Sequence, residues 1–455
     1  MLVPSTRLLW ITALVLVPLF TVLGMLHVSG ALLIGLALVV GLLVALDAPS
    51  ALSRLSAVSV SLPEVIRVSK GRTFDIECTM TTAQAGLRTL EIGLPFPRAL
   101  SSAEPVLKVT IPAGARRSEV KWSLRATERG LYQLKSAYVG GASALGLWEG
   151  RRELPCACEV RVYPDLSRER KVLAPLFLRR GALGVHQVRQ LGKGREFEQL
   201  RAYLPGDSYE DIFWKGTAKR RFPVTRMYQV ERTQEVYVVL DVSRRSARPI
   251  EVTPGAEDHR AEGAVAQTQC ERFIQAALIL ALAAEGQGDR FGLILFSDQT
   301  HLLLPAGSGR AHFNACRDAL YTQQPRVVSP DFEDLFITIG NRLRHRALII
   351  VLTDLGEPWL AESFAESVKQ AARKHVILAH MLGSREFQPL FARHDEVADV
   401  DGLYQKLAGH IIWHDLQDTA RALKQTGVHL TASMEENLVG DVVSEYLKVK
   451  RRQLL

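Results

Sequence analysis

At 455 residues, 47% of them hydrophobic and 23% charged, the chain is too long for one ordinary core and too apolar for a disordered polymer, so two or three folded units are expected. A formal charge of +8 points to an anionic partner, lipid or nucleic acid, without choosing between them. Five cysteines, odd in number and scattered, do not form the paired framework of a small secreted domain and fit a reducing compartment.

The first two elements are apolar. Residues 8–26 and 31–46 carry no Lys or Arg, and each run approaches the ~20 residues that a helix needs to cross a bilayer. A signal peptide has a shorter apolar region and no second run behind it, so residues 1–50 read as a hairpin of two transmembrane helices. Arg7 precedes the first run, Arg54, Arg67, Lys70 and Arg72 follow the second, and the turn between them has no cation. The positive-inside bias then places both ends and all later domains in the cytoplasm.

Residues 56–165 alternate apolar and polar in short runs such as "VSVSL", "TFDIECTM", "VKWSLRAT" and "CEVRVYP", broken by Gly and Pro. This predicts an all-β, antiparallel region of immunoglobulin- or fibronectin-like sandwich type, acting as a spacer or docking domain. Alternation places Cys156 and Cys158 on one strand face, and no second pair completes a zinc site.

Residues 166–234 form a connector. Its first part, to about residue 193, carries Arg168, Arg170, Lys171, Arg179, Arg180 and Arg189, either a solvated linker or a surface attracted to anionic lipid by about 1 kcal/mol per charge. The stretch 194–221 then mixes charges with aromatics. Phe197, Leu200 and Leu204 recur at helical spacing, which predicts a helix stopped by Pro205 and Gly206. Asp207 or Ser208 is expected to cap a second short helix with Ile212 and Trp214 near its start. In that arrangement the aromatics bury against the following domain and the charges line a rim. Lys215, Lys219, Arg220, Arg221 and Arg226 offer a nucleic-acid alternative, against which the interleaved Glu210 and Asp211 argue.

Beyond residue 235 solid apolar strands, "EVYVVLD" (235–241), "RFGLILFS" (290–297), "ALIIVLTD" (347–354) and "HVILAHML" (375–382), alternate with helical segments near 265–285, 308–322, 331–345 and 360–374. Strands covered on both faces imply a parallel, Rossmann-like α/β sheet over 235–434, with a C-terminal helix in 435–455. Ligands of such sheets gather at the carboxyl ends of the strands, where Asp241 and Asp354 fall. With the Ser243 hydroxyl they supply hard oxygens suited to Mg²⁺; equally, the carboxylates cap helices or pair with arginines. A metal-assisted hydrolase using Asp241, Ser243 and Asp354 is the enzymatic alternative, but no general base is evident beside them. The polar segment 242–264 exceeds usual loop lengths, as a disordered stretch or a lid. His410 and His414, beside Asp415, share a helix face without a third ligand and read as packed or capping residues. No P-loop, G-x-S-x-G or H-E-x-x-H motif occurs.

The strand-end set resembles the metal-ion-dependent adhesion site of von Willebrand factor A domains, whose first loop reads D-x-S-x-S. Here the fifth position is Arg245, so Ser246 would supply the hydroxyl one place late, and Ser308 in "AGSGR" stands in for the threonine of a separate loop. The resemblance implies Mg²⁺ held by Asp241, Ser243, Ser246, Ser308 and Asp354.

A second resemblance spans most of the chain. Gly194, Glu196, Phe197, Leu200, Arg201, Tyr203, Gly206, Asp207, Ile212, Trp214, Lys215, Ala218 and Lys219 match the signature of the bacterial family known as domain of unknown function 58. "RGLYQL", "LGLW", "VYPDL" and the ending "SEYLKVKRRQLL" are similar too. Glu210 stands where the family usually has arginine and Phe213 where it has an acid, so the exact charge pairing differs. The resemblance implies two membrane spans, a β-rich region and a von Willebrand factor A-like domain in an inner-membrane protein without an enzymatic reaction. It also implies a scaffold or adaptor that binds protein partners, no nucleic acid among them. MoxR-type AAA+ ATPases are the implied partners, in complex assembly, maturation or stress and envelope functions.

Overall fold

A computed structural model describes the chain except residues 27–28, 57, 83–88, 112–114, 172–190, 206, 230–233, 251–266, 384–399 and 453–455. The chain divides into two units, Met1–Asp165 and Leu166–Leu455. Most of the basic connector, much of the 242–264 segment, Gly206 and the last three residues of the "SEYLKVKRRQLL" ending lie outside the described residues.

In the first unit the apolar runs are helices long and apolar enough to cross a bilayer. Ser5 caps the first by accepting from the Leu8 amide. A π-helical turn, Thr12–Leu16, precedes Pro18, whose missing N–H cannot serve the preceding turn. The second helix runs Gly30–Ser56, ten residues past the expected end of the apolar run. Its extension docks on the β region: Asp47, Ala51 and Leu55, spaced four apart, are buried, and Asp47 accepts from Ser143 Oγ at 2.5 Å and from the Leu145 amide at 3.1 Å. Gly150 permits the approach, since a Cβ there would lie 2.9 Å from Leu55 Cδ1 and 3.0 Å from the Ala51 carbonyl oxygen.

The β region is two sheets around one core. One orders Leu2–Pro4, Trp148–Tyr163, Gly130–Ala142, Thr89–Gly93 and Val106–Thr110, with Val65–Ser69 beside Trp148–Tyr163; the other orders Val58–Ser61, Thr73–Thr82, Arg117–Ala126 and Leu100–Ser102. Ile76, Met80 and Trp122 of one sheet bury with Ile92, Val139 and Val160 of the other. The expected antiparallel pattern has one exception, because Val65–Ser69 pairs parallel with Glu159–Tyr163. Cys158 is buried and Cys156 half-buried in this core with Cys78. Burial, with a smaller contribution from Cys156, pushes the Cys78 and Cys158 thiols up to about 11, so they pack as apolar groups.

In the second unit a short helix over 167–171 comes first and a hairpin later. Leu191–Ala202 is a strand paired antiparallel with Val224–Gln229, which corrects the expected helix. The register explains the misleading spacing: Phe197 pairs with Tyr228 and Leu200 with Arg226, partners two residues apart, because the strand slips between Phe197 and Gln199. A bulge turned a period of two into a spacing of three.

After the hairpin comes a six-stranded sheet: β1 (Glu235–Asp241), β2 (Arg290–Phe296), β3 (Thr300–Gly307), β4 (Leu348–Leu352), β5 (Val376–Leu382) and β6 (His429–Ser433), ordered β3-β2-β1-β4-β5-β6. All pairings are parallel except that of β3 with β2. The helices are α1 (Gln269–Gly286), α2 (Gly309–Leu320), α3 (Phe332–Arg342), α4 (Pro358–Lys374), α5 (Val400–Gln425) and α6 (Leu438–Arg452). One face buries Val238 and Leu240 under α1, α2 and α6; the other buries Val239 and Val351 under α3, α4 and α5. The C-terminal helix is therefore a layer of the domain, its Val442, Val443 and Tyr446 packed with Phe273 and Ile274. Strand order reverses between β1 and β4, which leaves a crevice at their carboxyl ends.

Candidate functional site

Three loops meet at that crevice. β1 ends on Asp241, 1% exposed, whose Oδ1 accepts from the Ser243 amide at 2.8 Å and whose Oδ2 accepts from Thr353 Oγ1 at 2.7 Å. Burial pushes this carboxyl up, the Ser243 and Thr353 hydrogen bonds pull it down, and nearby Asp354 raises it again. Ser243 Oγ accepts from the Arg245 amide at 3.4 Å as the cap of a 3-10 turn, and Ser246 Oγ donates to the Ser243 carbonyl at 2.8 Å. Past β4, Asp354 Oδ1 accepts from the Gly356 amide at 2.9 Å.

Arg245 closes the group. Its Nη2 donates to Asp354 Oδ2 at 3.0 Å and its Nη1 to Glu357 Oε1 at 2.5 Å, while Glu357 Oε2 accepts from Trp359 Nε1 at 2.6 Å. The Arg245 side chain is 23% exposed and that of Asp354 only 6%. At the next tip Ser297 Oγ lies 2.6 Å from His301 Nε2 and donates to Asp298 Oδ1 at 2.6 Å. Burial, and then Arg326, lower the His301 pKa, with Asp298 and Asp334 opposing. Ser297 is wholly buried, so this cluster braces the β2–β3 turn.

The residues present do not fit Mg²⁺ in this arrangement. All four oxygens of Asp241 and Asp354 already have partners, and a cation needing about six oxygens at ~2.1 Å would have to displace a guanidinium. Among the described residues no group of three or more His, Cys, Asp or Glu could hold a metal ion. Asp241, Ser243, Ser246 and Asp354 do converge. Ser308 does not: it follows β3, whose Gly307 pairs with Phe291 at the start of β2, and so caps α2 at the opposite end of the sheet. The hydroxyl that meets Asp241 is Thr353, legible in "LTD" as the residue before the strand-terminal aspartate. The alternative in which these carboxylates pair with arginines holds for Asp354 and Arg245, while sequence reasoning missed Glu357.

The signature residues build the hairpin instead. Arg201 pairs with Asp207 at 2.6 Å, and Asp207 also accepts from the Leu204 amide at 3.0 Å and from Thr225 Oγ1 at 3.4 Å. Ser208 starts the 3-10 turn Tyr209–Asp211 without a side-chain cap, and Trp214 begins the helix Trp214–Arg220. Ile212, Val224 and Thr225 are buried, Arg226 lies 4.5 Å over the Phe213 ring, and Tyr203 stacks on Tyr209. Tyr209 and Trp214 stay exposed, a correction to their expected burial, and Phe222 is exposed as well; the hairpin spends its small core on Ile212 and Val224. Lys215, Ala218 and Lys219 are exposed, and Gly194, Glu196, Phe197 and half-buried Leu200 lie on Leu191–Ala202.

Two helices long and apolar enough to span a bilayer, a two-sheet β region and a doubly wound α/β domain with charged strand tips define the class of protein. Residues 199–388 match the family described as protein of unknown function DUF58. Uncharacterized proteins of Mycobacterium tuberculosis and Mycobacterium bovis are 24% identical over 192 residues, 41% of this chain and 55% of theirs, so the match spans about half their length. Among solved structures, the VWA domain of SpRpn10 is 14% identical, with a TM-score of 0.28 over 47% of this chain and 95% of that one. An aerotolerance-related membrane protein from Bacteroides fragilis is 16% identical, with a TM-score of 0.27 over 47% and 99%. At such scores the fold assignment rests on strand order alone.

Proposed function

We propose that the chain is a scaffold of the bacterial inner membrane, its soluble domains in the cytoplasm. Its von Willebrand factor A-like domain recognises a protein partner at the strand tips, and a MoxR-type AAA+ ATPase is the partner class that the family resemblance suggests. The observation that carries this reading is Arg245, held between Asp354 and Glu357 at the switch point with its side chain partly open to solvent. A tethered cation there presents a fixed charge pattern in which a partner's carboxylate can replace Glu357, and recognition needs no metal. Five free cysteines and the cations flanking the spans support the cytoplasmic side.

The test is binding of the full chain in nanodiscs to the purified MoxR-type ATPase of the same genome, by biolayer interferometry with EDTA present. Binding should persist in EDTA and weaken at least about tenfold in Arg245→Glu. A wild type that does not bind removes this ATPase as partner. Binding that requires Mg²⁺ removes the arginine-based reading.

A further inference from the structure

Two surfaces of the Leu166–Leu455 unit expose grouped apolar side chains, one set among cations and the other beside a groove whose charged lining residues are acids. At the hairpin tip Tyr209, Trp214 and Phe222 are 75%, 67% and 46% exposed. Lys215, Lys219, Arg220 and Arg221 stand exposed among them, outnumbering the nearby acids Glu210 and Asp211.

The second surface begins on α5, where exposed Tyr404, Leu407 and Ile411 follow one another at helical spacing with Leu403 beside them. The same line continues through Asp415 and Asp418 into a groove of about 380 Å³ between α5 and α4, lined also by Leu355, Ala361 and Glu362. Groups of large apolar side chains in water mark interaction sites. Among the described residues nothing covers either one. Chain connectivity also sets them apart: the hairpin leads into the amino end of β1, whereas the groove opens beside Leu355 and Gly356, past the carboxyl end of β4.

We infer that the hairpin tip of one copy docks into the α4–α5 groove of a second copy. Trp214 and Tyr209 supply the large rigid anchors that dominate interfaces. Lys215, Lys219 and Arg220 face the acids Glu362 and Asp415. Such a contact is head-to-tail, so it can extend beyond a dimer, and membrane anchoring raises the effective concentration of one copy near another. A single contact thus covers both exposed surfaces.

The experiment is energy transfer between donor- and acceptor-labelled full chains in proteoliposomes. One variant reverses the tip (Lys215→Glu, Lys219→Glu, Arg220→Glu) and another reverses the groove (Glu362→Lys, Asp415→Lys). Each variant alone should fall to the level of an unrelated membrane protein. An equimolar mixture of the two should recover the wild-type signal, because each tip then meets a groove of opposite charge; a misfolded variant could not recover. Signals unchanged in both variants overturn the proposal. So does loss in the tip variant alone that is mimicked by replacing anionic with zwitterionic lipid, which would assign the tip to the bilayer.

Discussion

Arg245 reaches across the switch point of the sheet to Asp354: Nη2 and Oδ2 are 3.0 Å apart although 109 residues separate them in sequence. Arg245 thereby joins the loop after β1 to the loop after β4 and neutralises charge that two converging carboxylates would otherwise leave buried. Asp241, deeper in the crevice, meets neutral groups instead, among them the Ser243 amide and the Thr353 hydroxyl.

Arg245→Ser should therefore destabilise the domain by about 1–3 kcal/mol, less than a fully buried pair because the arginine side chain is partly exposed. It also creates D-x-S-x-S from Asp241 and frees Asp354 Oδ2. Excess Mn²⁺ or Mg²⁺ should raise the thermal midpoint of the variant by a few degrees and leave the wild type unmoved. Equal ion responses in both proteins would show that the guanidinium does not stand in the cation's place.

The protonation of Asp241 gives a second expectation. Its folded-state pKa is raised, burial being the largest cause. The folded chain thus holds this proton more tightly than the unfolded chain, and stability falls as pH rises from the ordinary carboxylate value through the folded one. Asp241→Asn keeps an acceptor for the Ser243 amide and, with the Thr353 hydroxyl turned, a partner for Oγ1. Thermal midpoints between about pH 4 and about pH 8 should decline less steeply in the variant than in the wild type. Identical slopes would place the ionisation elsewhere.

Thr353→Val deletes the only side-chain donor that Asp241 receives from β4's end. The expected cost is about 1–3 kcal/mol, with most of it restored in Thr353→Ser. A serine variant as unstable as valine would mean that the methyl group, rather than the hydroxyl, matters here.

What was legible in the sequence follows burial. β1, β2, β4 and β5 are covered on both faces, so "EVYVVLD" or "ALIIVLTD" can be little else, and the helices between them follow. β3 and β6 were not anticipated. Both are sheet edges: β3 is half-buried along most of its length and contains exposed Pro305, and β6 is five residues with exposed His429 and Ala432. Missing β3 had a consequence for the site, because that strand runs back down the sheet and carries Ser308 away from Asp241. The hairpin was misread for a local reason, the bulge after Phe197. Asp241, Ser243 and Asp354 were found because strand ends mark where ligands gather; the partners of Arg245 come from a fold-level convergence that spacing does not encode.

The hairpin tip depends on one missing side chain. Gly216 lies in the first turn of Trp214–Arg220, and a Cβ there would fall 2.4 Å from Phe213 Cδ1 and 3.0 Å from Cε1. The near edge of the ring cannot yield without leaving its place beneath Arg226, 4.5 Å away. Gly216→Ala should therefore expel Phe213, break the cation–π contact and cost the tip about 1–3 kcal/mol. The loss should stay local, because the buried residues nearest the tip are Ile212, Val224 and Thr225 of the hairpin itself. Amide exchange across Trp214–Arg220 should accelerate about ten- to hundredfold, while α1 and β1 exchange as in the wild type. Unchanged exchange at the tip would show that Phe213 has another seat open to it, and acceleration throughout α1 would show that hairpin and sheet unfold as one.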